Sequence, residues 1–125
     1  MKILTGFLMI LGIFEVISNA FHLSKRNKAS IGKSARRQHQ ELPINISDID
    51  YFYKVMIMLL FGIAFVISSV MLLFGIDLAF VFTWITVVCF GLYGFIQALL
   101  YRSEWKVWTA MLVYNVPLIL LIVNV

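Results

Sequence analysis

Between Val55 and Ile76 lie 22 consecutive residues without one charged side chain. At about 1.5 Å per residue an α-helix of that length covers the roughly 30 Å hydrocarbon core of a bilayer. A chain buried there must satisfy each backbone N–H and C=O within itself, which a helix does. The run therefore reads as a membrane-spanning helix. Composition extends that reading to the whole chain: 62% of the 125 residues are hydrophobic, 13% are charged, and the mean hydropathy is +0.98. Those values lie far outside the usual range of soluble domains.

Three further runs obey the same arithmetic, so the predicted spans are 3–23, 55–76, 78–100 and 107–125. The expected fold is all-α: an integral membrane four-helix bundle, antiparallel and up-down, forming a single domain over residues 1–125 with both termini on the outer side. The first span contains Glu15, Asn19 and His22. A charged Glu near mid-helix costs about 2.5 to 3.5 kcal/mol on insertion scales, and each Leu, Ile, Phe or Val returns roughly 0.3 to 0.6, so the apolar residues outweigh it. The rival reading is a signal peptide cleaved after Ala20; Glu15 interrupts its apolar core, and the cations that follow oppose export.

Six of the ten Lys and Arg residues fall in the polar loop 24–50: Lys25, Arg26, Lys28, Lys33, Arg36 and Arg37. Near an anionic leaflet each contributes about 1 kcal/mol, which makes anionic head groups, rather than nucleic acid, the expected partner of these side chains. Gly32 and Pro43 argue against a long regular helix in the loop, although a short interfacial helix between Lys25 and Gln40 is compatible with it. His39 and Glu41 read as loop residues, and the sequon at Asn45 stays unmodified if the loop is cytoplasmic. Ser47, followed by Asp48 and Asp50, predicts the start of the second helix, with Tyr51, Phe52, Tyr53 and Lys54 as an interfacial collar. Gly75-Ile76-Asp77 predicts a tight turn, and Pro117 a kink that frees the Val113 carbonyl.

Orientation follows from the cations. With the loop inside, its six are joined by Lys54, Arg102 and Lys106, making nine, against Lys2 alone outside. Trp105 and Trp108 mark the interface of the fourth span.

Chemistry has to come from polar groups inside the spans. Thr5, Leu8, Gly12, Glu15, Asn19 and His22 recur at alternating spacings of three and four, and so share one face of the first helix. Thr83, Thr86, Phe90, Gly94, Gln97, Ala98 and Tyr101 do the same on the third. Matching depths at 1.5 Å per residue set Glu15 opposite Tyr114 or Asn115, and Asn19 opposite Gln97, with helix one against helices three and four. The candidate intramembrane polar site is thus Glu15, Asn19, Gln97, Tyr114 and Asn115, and Glu15 is its candidate proton carrier or cation site. His22 is expected among the head groups. Ser18 and His22 sit four apart without a nucleophile motif, Cys89 stands alone, and no spacing suits a metal. No cofactor is expected.

Glu15-Val16 in the first of four helices, with Lys25 ten residues on, resembles the small multidrug-resistance transporters over that one helix. In that family a Glu of helix one, shared across a dimer, exchanges protons for cationic drugs, and the resemblance implies that role for Glu15. The long basic loop and a third helix without a Trp-Ser-Gly signature depart from the family, and the charge bias opposes dual topology. The expected function is therefore a non-enzymatic accessory, regulatory or protective component of the cell membrane, acting through helix packing and the basic loop. A membrane protein partner or a second copy is compatible with it. The alternative is a small proton-coupled cation or drug transporter built on Glu15.

Overall fold

The structure, a computed structural model, describes residues 2–38, 42–43 and 46–124; His39, Glu41 and Asn45 lie outside the described residues. Within these there are six helices and no strand: α1 (Lys2–Leu23), α2 (Lys28–Gln38), α3 (Asp48–Leu73), α4 (Ala79–Leu100), α5 (Trp105–Tyr114) and α6 (Val116–Val123). Helices α1, α3 and α4, and α5 with α6 taken together, make four stretches long and apolar enough to cross a membrane.

Local chemistry sets the boundaries. Ser47 caps α3, its hydroxyl accepting the Asp50 N–H at 3.2 Å, while Asp48 and Asp50 place negative charge at the positive end of the helix dipole. At the other end Gly75 takes φ 64°, and the Ile76 and Gly75 amides bond the Met71 and Leu72 carbonyls at 3.1 and 3.3 Å. This is a Schellman stop, and it ends α3 at Leu73, three residues before the end of the predicted span. The fourth span breaks at Asn115 because Pro117 has no N–H for the Val113 carbonyl; helix resumes with Ile119 bonding the Asn115 carbonyl at 3.0 Å.

The polar loop is partly helical. Gly32, which speaks against helix on propensity alone, is where α2 meets the start of α3: a Cβ there would overlap the Asp48 carbonyl. Ile31, Gly32 and Ala35 are buried along this contact. Arg36 ties the two elements, donating to Asp48 Oδ1 at 2.9 Å and to the Ile46 carbonyl and lying 4.6 Å from the Tyr51 ring centre.

In hydrocarbon the hydrophobic effect gives helices no reason to associate, so close packing must do so. Gly12 and Gly62 supply it between α1 and α3: a Cβ on Gly62 would come within 2.8 Å of Glu15 Cβ, and one on Gly12 within 2.9 Å of the Gly62 carbonyl. Gly91 and Gly94 do the same for α4, where the side chains of Asn115 and Tyr114 take the space. A core of Leu4, Leu8, Met58, Phe65, Val87, Phe90 and Leu121 joins the elements, with Phe65 and Phe90 edge to face at 4.9 Å. The partnership expected between the first and third spans, which are α1 and α4, is not made. α1 packs on α3 and touches α2 and α6, whereas no Cα atoms of α1 and α4 come within 8 Å of each other.

Candidate functional site

On α3 the residues Tyr51, Lys54, Val55, Met58, Gly62, Phe65 and Ser69 recur at helical spacing, and all are buried. Lys54 is therefore carried inward with its stripe, only 3% exposed. Its Nζ donates to Gln97 Oε1 at 2.6 Å and to the Tyr114 phenol oxygen at 2.9 Å, and lies 5.2 and 5.3 Å from the ring centres of Tyr93 and Tyr114. Two charge-assisted hydrogen bonds and the nearby Tyr93 ring take the place of water around the ammonium group. The collar expected at residues 51–54 is thus divided: Tyr53 is exposed, but Tyr51 and Lys54 belong to the interior.

Glu15 is held from its own helix. Asn19 Nδ2 donates to Glu15 Oε2 at 2.9 Å and to the Glu15 backbone carbonyl at 2.7 Å, and the carboxyl residue is 6% exposed. Glu15 and Tyr114 line one cavity of about 300 Å³ to which α2 and α3 also contribute, with Phe14, Gln38, Met58 and Val113 in its walls, and no Cα atoms of α1 and α5 come within 8 Å of each other. Tyr114 is the shared element, lining the same cavity as Glu15 and bonded to Lys54 through its hydroxyl.

The other expected pairings take different forms. Asn115 turns toward Gly91 of α4 and donates to the Met111 carbonyl at 2.8 Å, which removes it from Glu15. Gln97 goes to Lys54 instead of Asn19; among the described residues Gln97 Nε2 and Asn19 Oδ1 are buried atoms with no hydrogen-bond partner. Thr83 and Thr86, on the inward stripe of α4, donate back to the Ala79 and Phe82 carbonyls at 2.7 and 2.9 Å, so their hydroxyls serve their own helix.

A second polar site forms where α2 meets α1. His22 is not a surface neighbour of head groups: it is 5% exposed, with Nε2 2.7 Å from Gln38 Oε1 and Nδ1 2.7 Å from Ser34 Oγ. The amide oxygen only accepts, so Nε2 is the donor in that bond, while the Ser34 hydroxyl can serve Nδ1 as donor or acceptor. Ser18 also donates to Gln38 Oε1, at 2.6 Å. Against this clamp opens a pocket of about 580 Å³ lined by Lys25, Lys33 and Arg37 together with Phe21, His22, Ser30, Ser34 and Gln38. The six loop cations therefore divide. Lys25, Lys33 and Arg37 share the pocket, Arg36 faces Asp48 and Tyr51, Lys28 lies 5.4 Å from the Phe52 ring centre, and Arg26 is exposed.

No protein-family model, curated protein or solved structure matches this chain. The site has to be read from its own geometry. Sequence reasoning missed Lys54 as an interior residue and His22 as a clamp. For Lys54 the signal was its place on the stripe of Tyr51, Met58 and Gly62; for His22 it was Ser34 and Gln38, four apart on a basic amphipathic segment.

Proposed function

We propose that the chain is a non-enzymatic accessory or regulatory component of the cell membrane, an up-down bundle with its basic end in the cytoplasm and both chain ends outside. The bundle is the support, and the α2 end is the working surface toward anionic lipid. One observation carries this reading: α2 lies against α3 through Ile31, Gly32 and Ala35, which turns Lys33 and Arg37 outward beside Lys25 around a single pocket. The apolar faces left outside the bundle suit lipid, a membrane protein partner or a second copy of the chain.

Release of the full chain from nanodiscs of mixed anionic and zwitterionic phospholipid into native mass spectrometry tests the reading. Anionic lipid should be retained preferentially, and each neutralised pocket cation should lower that preference about fivefold, the equivalent of about 1 kcal/mol. Retention without regard to head-group charge would end the proposal.

The cavity shared by Glu15 and Tyr114 favours a second reading, proton-coupled transport of an organic cation. Lys54 weighs against it, because its ammonium group is bonded to the same Tyr114 and would repel a cationic cargo. Dye efflux from cells carrying Glu15→Gln separates the two: a transporter loses activity, and an accessory component does not.

A further inference from the structure

The pocket at the α2 end has more structure than a diffuse basic surface requires. Ser30, Lys33, Ser34 and Arg37 follow one another at helical spacing along one face of α2, and Phe21 and His22 of α1, with Lys25 just beyond its end, line the other side. The crevice between these rows is preformed, because His22 holds Ser34 and Gln38 at 2.7 Å each and Ser18 holds Gln38 at 2.6 Å. Lys25 is positioned at its mouth, with Nζ 4.3 Å from the Phe21 ring centre. Three formal positive charges line it, and no carboxylate does so among the described residues. Its volume of about 580 Å³ lies within the roughly 300 to 1,000 Å³ typical of small-molecule sites, more than a bare ion needs.

We infer that this pocket binds one phosphomonoester group carried by a membrane lipid, of the kind found on phosphatidic acid or a phosphorylated inositol head group. The inference rests on the proposed function and assigns its ligand. A phosphomonoester carries close to two negative charges near neutral pH and three strong acceptor oxygens, and so meets the two lysines and the guanidinium better than a phosphodiester with a single charge. Lys25 and Lys33 act as point charges, Arg37 adds a third positive charge to the lining, and the Ser30 hydroxyl supplies a neutral donor. Phe21 argues for a lipid source over free phosphate. It forms one wall and is itself exposed on the same apolar side of α1 as Phe14 and Ile17, so the crevice opens onto the surface where acyl chains lie.

The test uses the full chain in nanodiscs of phosphatidylcholine containing either phosphatidic acid or phosphatidylglycerol, with retained lipid counted by native mass spectrometry. One phosphatidic acid should be retained per chain, and phosphatidylglycerol should be retained more weakly. The pair Lys33→Gln with Arg37→Gln should lower phosphatidic acid retention by about thirtyfold or more, at about 1 kcal/mol or more per cation. Both residues are exposed and lie off the Ile31, Gly32 and Ala35 contact, so α2 should stay docked. The matched pair Arg26→Gln with Lys28→Gln removes the same charge outside the pocket and should have a much smaller effect. Equal losses from the two pairs would overturn the pocket while leaving a general preference for anionic lipid in place; loss of any such preference in the unaltered chain would overturn both. Equal retention of phosphatidylglycerol and phosphatidic acid would overturn the monoester assignment. Displacement of the lipid by inorganic phosphate at matched concentration would overturn the lipid source.

Discussion

Lys54 and Lys33 lie 21 positions apart in the sequence and have opposite circumstances in the structure. Lys54 is enclosed between α3, α4 and α5, with hydrogen bonds to Gln97 and Tyr114; Lys33 is exposed beside a pocket in which no carboxylate is found among the described residues. Charge alone does not tell them apart. What does is the face of the helix on which each sits and what the neighbouring helix offers. An enclosed cation fixes the mutual rotation of three helices, because turning any of them strands the ammonium group in a medium without water. An open one is available to a ligand.

The sharpest way to break this contrast is to remove a partner of Lys54 while leaving the charge. Gln97→Leu should cost about 2 to 3 kcal/mol of stability in reversible unfolding from mixed micelles, the value of a hydrogen bond to a charged group. Lys54→Met, which removes the charge and keeps an unbranched chain, should cost less, since it leaves two neutral acceptors short of a donor, and a neutral group is cheaper to strand than an ammonium group. The reverse ranking would mean that Lys54 is not the group the cluster is built around.

Much of the fold is legible in the sequence, and the reasons are local. The Ser47 cap, the Gly75 stop and the interruption before Pro117 depend on residues within one or two turns, and the inward stripe of α1, from Leu8 through Glu15 to His22, is a matter of spacing. The site was legible only in part because its contacts join residues 43 and 60 positions apart. Depth along a helix can be counted from the sequence, but rotation around the bundle cannot. Asn19 and Gln97 were matched in level and belong to helices that are not neighbours. From sequence Lys54 reads as an interfacial cation because it follows three aromatic residues at a helix start, a position where a lysine commonly extends to the surface.

The glycines sharpen the contrast within a single helix. Gly12→Val should cost about 1 to 3 kcal/mol, because the new side chain meets Val66 and the Gly62 carbonyl at a crossing that cannot open without separating α1 from α3. Gly6→Ala, where a Cβ meets nothing within 4 Å, should be neutral or stabilising by up to about 1 kcal/mol. Paired unfolding curves on the same background decide it, and equal costs would show that α1 does not cross α3 at Gly12.

Smaller effects belong to the loop. Ser47→Ala should lower stability by about 1 kcal/mol through loss of the helix cap. Asp48→Asn, which breaks a half-exposed ion pair with Arg36, should cost under about 1 kcal/mol, and less as salt is raised. Labelling of a cysteine introduced at Ala35 should nonetheless become faster in Asp48→Asn, since that pair helps to hold α2 against α3.

The central claim, an enclosed Lys54 and an open α2 on the face proposed to be cytoplasmic, is tested most directly by lysine modification on sealed membrane vesicles of both orientations. A membrane-impermeant amine reagent is applied from one side at a time, and the modified positions are read by peptide mass spectrometry. The account predicts that Lys25, Lys28, Lys33 and Lys106 are modified from the cytoplasmic side, Lys2 from the other, and Lys54 from neither until the bundle is unfolded. Modification of Lys54 in intact vesicles at a rate close to that of Lys33, or of Lys33 from the outer side, would contradict it.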